Sequence, residues 1–338
     1  MHECCDGEHC AELELSRPLA SPCLGGGEEV VAMASKRALR AQQARRLAIL
    51  RQHAKRERCR DGEEREMPEH APDFYDLHSK GVPKAFLRLL FILVMHPGIS
   101  TVCNVDVIEF FSGVGNLVRA MVDGSLVALP YELLRSQEAM DILKPAGFAV
   151  ACVMALRLRS NGLAWFGTVC SSWVFLCSAT SERTKFLPMG NESLSWVREA
   201  NLMVSRCCLL MRLVHAKGAW WCLEQPLSSV MVYHNRMQEL ATHWDMWSTS
   251  FEMESFGAET SKPTKIYGNR KHVGALASMA QKHKKQHTKR KRNRKVEVVK
   301  SHFDKEGRRR VSGGKDLKAT SLGWAWERAL FVLNTCHS

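Results

Sequence analysis

The sequence predicts an α/β protein: a mostly parallel sheet, helices on both faces and one antiparallel strand near the end. Three observations carry this. Apolar strand-like runs alternate with segments of helical periodicity between residues 105 and 267. The first run, Val105-Asp106-Val107-Ile108-Glu109-Phe110, leads straight into Phe111-Ser112-Gly113-Val114-Gly115-Asn116. That is the pattern of a buried strand, a tight glycine turn and a helix start. The last two runs are joined by Ser255-Phe256-Gly257-Ala258-Glu259 and a few more residues, which reads as a hairpin at the end of the sheet.

Before the first strand, the apolar stretch 89–95 predicts a core helix ending near His96-Pro97-Gly98, and it is too short to span a bilayer. Strands are expected at 105–110, 126–131, 163–169, 219–224, 249–254 and 264–267, each apolar and closed by turn residues. Helices are expected at 117–123, 146–160, 196–217 and 235–241, where apolar residues recur at helical spacing. In the third of these, Arg198, Glu199, Asn201 and Arg206 are polar exceptions and candidates to face a cleft. Trp173, Trp220 and Trp221 read as core or pocket wall.

With 338 residues the chain is long enough for about two domains. A hydrophobic fraction of 45% supports a sizeable core. Composition divides it into a basic, helical N-terminal extension (1–72), a body (73–273) and a basic, largely disordered tail (274–338). Residues 1–33 read as disordered and 34–66 as a long basic helix. His2, Cys4, Cys5, His9 and Cys10 fit no closed tetrahedral ligand spacing, so no metal is expected.

The net charge of +13 is concentrated in two runs, 36–60 and 282–310. Residues 281–295 alone carry nine Lys or Arg side chains and are expected to be disordered when free. Lys284, Lys285, Lys289, Arg290, Lys291 and Arg292 are therefore candidates to bind nucleic acid through counterion release. A plain solvated tail is the alternative. Lys289-Arg290-Lys291-Arg292 also suits nuclear import. The polar, acidic opening Met1-His2-Glu3-Cys4-Cys5 lacks the form of a signal peptide. With 13 cysteines, several inside apolar segments, it predicts an intracellular protein with reduced thiols.

Ligands of open α/β sheets sit outside the carboxyl ends of the strands. The first strand ends in the Gly113 and Gly115 turn, where the missing Cβ atoms permit close approach. The second ends in Tyr131-Glu132, a carboxylate suited to ribose hydroxyls. Asp141 in Met140-Asp141-Ile142 could meet an exocyclic amine, or cap the helix starting near Pro145. Later strands end in Thr168-Val169-Cys170 and in Leu223-Glu224-Gln225-Pro226. No Gly-Lys-Ser/Thr follows the glycine turn, and position 118 is valine rather than a third glycine. An adenosine cofactor without a pyrophosphate, such as S-adenosylmethionine, fits better.

Together these motifs resemble the cytosine-C5 DNA methyltransferases, particularly short phage-like and protist relatives. Glu109-Phe110-Phe111-Ser112-Gly113-Val114-Gly115 is similar to the family's Asp-x-Phe-x-Gly-x-Gly, with glutamate for aspartate. The ribose-binding acid falls on Glu132, Gly-Asp-Ile on Met140-Asp141-Ile142, and Pro-Cys on Val169-Cys170. Glu-Asn-Pro falls on Glu224-Gln225-Pro226, and Lys-Pro-Thr on Lys262-Pro263-Thr264. The resemblance covers residues 104–270. It implies a Rossmann-like class I methyltransferase fold with S-adenosylmethionine held by Glu109, Phe111, Gly113, Gly115, Glu132 and Asp141. It also implies Cys170 as nucleophile and Glu224 as base-binding acid, acting on DNA in preference to RNA. Asn269 is a candidate for the family's late cofactor-pocket asparagine. The sequence departs from the pattern at Val169 and Gln225. A relative that binds nucleic acid without catalysis, and a methyltransferase for RNA or another substrate, are the alternatives.

Overall fold

A computed structural model describes residues 67–68, 70–256, 261–287, 299–303 and 309–313. The expected metal-free N-terminal segment, the basic helix at 34–66, Lys289, Arg290, Lys291 and Arg292 lie outside these residues. So does the tryptophan-bearing end of the chain.

The body begins where the sequence turns from charged to apolar. Asp73 caps helix α1 (Phe74–Ser79), its carboxylate accepting from the N–H groups of Tyr75 and Asp76. Helix α2 (Lys84–Val94) buries Phe86, Leu90 and Val94 at helical spacing. Six strands then form one sheet: β1 (Val105–Phe110), β2 (Ala128–Tyr131), β3 (Leu158–Phe166), β4 (Trp220–Pro226), β5 (Trp247–Glu252) and β6 (Pro263–Gly268). Their order is β2-β1-β3-β4-β6-β5. The first three pairings are parallel, and β6 is antiparallel to both of its neighbours. β6 is thus the single reversed strand. The expected hairpin forms at the end of the sheet, with its second strand inserted between β4 and β5 and its first strand at the edge.

Between the strands run α3 (Asn116–Asp123), α4 (Pro145–Arg157), the short α5 (Ser178–Ser181), α6 (Ser195–Ala216), α7 (Asn235–His243) and α8 (Ala275–His287). The strands divide their side chains between two apolar clusters, as strand alternation requires. Ile108, Phe110, Phe166, Trp221 and Leu223 meet α2, α4, α6 and α7. Val107, Leu163, Trp165, Trp220, Cys222 and Ile266 meet Leu117 and Met121 of α3 and Leu276 and Ala280 of α8. Helices therefore cover both faces.

Two boundaries differ instructively. The helix expected to reach 160 ends at Arg157, and β3 starts at once with Leu158. β3 pairs Leu158 with Val105 and then Leu163 with Val107, so the intervening residues bulge out. Arg159, Ser160 and Asn161 are exposed there, and Arg159 reaches Asp106 at 2.6 Å. Without buried apolar residues this stretch offered no strand period to read. At the other end, α8 continues the packed body past residue 273 and carries 281–287 in a helix, where disorder was expected. Lys284 and Lys285 fall in it. A separate two-stranded antiparallel ribbon follows, β7 (Val299–Phe303) with β8 (Arg309–Gly313). No helix among the described residues is long and apolar enough to cross a membrane.

Candidate functional site

The chain runs from β1 to β2 on one side and returns to β3 on the other. The crevice between the carboxyl ends of β1 and β3 is therefore the topological switch point, the place where such sheets bind ligands. The glycine turn sits there. Phe111 leaves the strand with φ +62°, and Gly113 and Gly115 follow with φ +53° and +73°. Gly115 begins α3 in a left-handed conformation that favours glycine. A Cβ on Gly113 would meet nothing within 4 Å, whereas one on Gly115 would lie 3.0 Å from Nη2 of Arg135. The turn is thus open at Gly113 and walled at Gly115.

Two carboxylates hold this turn from opposite sides. Oε2 of Glu132 accepts from the Gly113 N–H at 2.7 Å, and its Oε1 accepts from Leu134 N–H at 3.3 Å. Oε2 of the buried Glu109 accepts from Val118 N–H at 3.1 Å, satisfying one of the donors left over at the start of α3. Glu109 thus braces the turn from within the chain. Ser112 Oγ is buried without a hydrogen-bond partner among the described residues. Asp141 Oδ1 accepts from Leu143 N–H at 2.9 Å in the turn before α4, whose N-cap is Lys144 without a side-chain cap bond, so Asp141 closes the turn and does not cap the helix as expected. Its Oδ2 lies 4.0 Å from Lys144.

Cys170 lies half-buried on the loop that follows β3, one strand from the glycine turn. Proline is absent before it, and two sets of bonds fix the loop instead. On the near side, Gln225 Nε2 donates to Thr168 Oγ1 at 2.7 Å and to Thr168 O at 3.1 Å. Gln225 Oε1 accepts from Ser229 Oγ at 2.9 Å. On the far side, Trp173 N–H donates to Cys170 O at 2.8 Å, and Val230 N–H to Trp173 O at 2.9 Å.

Trp173 is locked by Arg183, whose guanidinium stacks 3.6 Å from the ring centroid. The same buried guanidinium donates to Ser172 Oγ, Asn201 Oδ1 and the carbonyls of Pro188 and Val197. Burial lowers its pKa to about 10, opposed by Glu192. Sequence reasoning missed Arg183. Asn201, expected to face a cleft, is instead its buried partner. Arg206 donates to Ile142 O and Lys144 O, and Arg198 to Glu192 O and Ser193 O. His234 packs edge-on against Trp173.

Glu224 lies near the carboxyl end of β4, one row beyond Leu223, which pairs with Phe166 of β3. It lies about 10 Å from the β1 row, two strand spacings away. Lys262 Nζ sits 3.1 Å from Glu224 Oε1, so two motifs far apart in sequence form one ion pair. Asn269 is placed differently from its expected pocket role. Its side chain accepts from Trp221 N–H at 2.9 Å and donates to Ala219 O at 3.0 Å. That is the amino end of β4, opposite Glu224. Trp173, Trp220 and Trp221 are buried, as expected. Cys152, Cys207 and Cys208 are held protonated by burial, and Cys222 is pushed up to about 12, so none of these offers a thiolate.

The carboxyl edge of the sheet thus gathers an open glycine turn, the Glu132 carboxylate bound to that turn, a cysteine and a carboxylate–ammonium pair. No family model, curated protein or solved structure matches the chain.

Proposed function

We propose that the protein is an S-adenosylmethionine-dependent cytosine-C5 methyltransferase of nucleic acid, built on a Rossmann-like class I methyltransferase fold. The observation that carries this reading is the placement of Gly113, Cys170 and Glu224 at the carboxyl ends of β1, β3 and β4, neighbours in the sheet around its switch point. The strand order, with the reversed β6 between β4 and β5, supports the fold.

The residues present fit the cofactor. Space opens at Gly113, where a side chain would have met no neighbour, and the orphaned Ser112 Oγ lies beside it. Glu132 would take ribose hydroxyls, exchanging its bond to the Gly113 N–H, and Phe111 would wall the adenine. Asp141 would offer Oδ2 to the exocyclic amine, its Oδ1 being spent on Leu143. When bound, S-adenosylmethionine supplies an electrophilic methyl group. Cys170, as thiolate, would add to C6 of cytosine and leave C5 nucleophilic; once C5 carries the methyl group, loss of the C5 proton and expulsion of the Cys170 thiolate from C6 would restore the ring. Glu224 accepts from the exocyclic amine and from protonated N3, with Lys262 beside it. The base has to leave its stack to reach Cys170. Lys284, Lys285 and the 289–292 cluster would hold the phosphates.

Three measurements test this. Calorimetry should detect S-adenosylmethionine at micromolar concentrations, and no binding at high micromolar levels would sink the reading. With cofactor present, an oligonucleotide carrying 5-fluorocytosine should form a covalent adduct that Cys170→Ser abolishes. Glutamine at 289, 290, 291 and 292 should reduce the salt dependence of binding and leave α8 intact. One observation favours a second reading, a non-catalytic nucleic-acid-binding relative: valine replaces proline beside the nucleophile. Binding without adduct would select it.

A further inference from the structure

The segment between β3 and α6 carries a feature that the methyl-transfer chemistry does not use. Phe186 is 98% exposed, although the turn that bears it is firmly built. Thr184 Oγ1 accepts from the N–H groups of Phe186 and Leu187, at 3.2 and 2.8 Å. Thr184 N–H donates to Leu187 O, and Gly190 N–H donates to the same carbonyl. The root of the turn is Arg183, the buried hub that also locks Trp173 under the Cys170 loop. One rigid arch therefore connects the cysteine loop to a projecting ring. The arch stays at the carboxyl edge of the sheet. Trp173 O accepts from Val230, beyond β4, and Lys185 lies 5.8 Å from the Tyr233 ring centroid.

We propose that Phe186 is a stacking platform for an unpaired base of the nucleic acid that enters the Cys170 site. The inference rests on the proposed function and adds the element that would grip the strand beside the target. An unstacked base presents a bare π-face, and an aromatic ring is its sequence-tolerant partner. The neighbour suits a polyanion: the exposed Lys185 precedes the ring in sequence. Phe175, 76% exposed on the same segment, offers a second ring. A floppy loop would lose entropy on stacking, whereas this turn is already ordered, so little of the stacking energy is spent on fixing it. The ring contributes nothing to the core, so its replacement leaves the fold intact.

The test uses the full chain and a fluorescein-labelled single-stranded oligonucleotide, titrated by anisotropy at several salt concentrations. Phe186→Ala should weaken binding about tenfold with an unchanged salt slope, because stacking releases no counterions. Phe186→Trp should restore affinity, and its added emission should be quenched on binding. S-adenosylmethionine affinity should stay the same in both. Wild-type binding with an equally tight Phe186→Ala overturns the stacking role and leaves the methyltransferase reading standing. If that variant instead loses self-association in sedimentation, Phe186 belongs to a protein contact, and the proposal falls. Failure of wild type to bind any oligonucleotide removes both together.

Discussion

Gln225 Nε2 donates to Thr168 Oγ1 at 2.7 Å and so joins the end of β4 to the loop that carries Cys170. Both side chains are buried. Val169 stands before Cys170, and a cross-strand amide holds the loop two residues ahead of the cysteine. Gln225→Ala leaves Thr168 and Ser229 without their partner. It should cost about 2 kcal/mol of stability, measured by urea unfolding, and slow the 5-fluorocytosine adduct more than it weakens cofactor binding. An unchanged adduct rate would show that the loop is held by the Trp173 side alone.

The two glycines of the turn should respond differently to alanine. Both have positive φ, which costs about 1–2 kcal/mol for a residue with a Cβ. At Gly113 the new methyl meets open space, the space that the proposed cofactor would take. Gly113→Ala should therefore fold with a small loss of stability but lose most of its S-adenosylmethionine affinity. Gly115→Ala meets only Arg135 Nη2, the far end of an exposed side chain that can turn aside, so its loss of stability should be similar. Thermal unfolding and calorimetry on the same samples separate the two effects.

His234 makes stability depend on pH. It is 1% exposed, and burial lowers its pKa to about 4, assisted by Arg183 and Arg236. Folded His234 therefore stays neutral where the unfolded chain, with an ordinary value near 6.5, has already taken up a proton. Stability from this site is complete above about pH 6.5 and falls as the pH drops toward 4, by up to about 3 kcal/mol. Its Nδ1 caps α7 by accepting from Arg236 N–H at 3.1 Å. His234→Asn keeps a capping acceptor without the titration, so its unfolding free energy should vary less between pH 7.5 and 5. Parallel slopes for the two proteins would refute the assignment.

Asn269 should behave as a structural residue. It satisfies Trp221 N–H and Ala219 O at the amino end of β4. Asn269→Ala should lower stability by about 2 kcal/mol and leave S-adenosylmethionine affinity unchanged. A selective loss of affinity at constant stability would return it to the pocket.

Much of the sheet was legible because β1, β3 and β4 are buried runs, and buried strands declare themselves by apolar continuity. Gly113 and Gly115 were legible as a turn because their conformation is one that side chains resist. The bulge at Arg159, Ser160 and Asn161 was not, since exposed polar residues carry no period. Arg183 was invisible for a related reason: an arginine amid polar loop residues looks solvated, and only its partners reveal it as a hub.

By itself the sequence determined the α/β class, the glycine turn and the ends of β1 and β2, because these follow from local periodicity and backbone sterics. Tertiary structure alone decided that β6 slots between β4 and β5, that Lys262 meets Glu224, and that Arg183 stacks on Trp173. It also decided that Asn269 serves the opposite end of β4 from Glu224. Those relationships join residues distant in the chain, and their energies exist only once packing has excluded water and brought the partners within bonding distance.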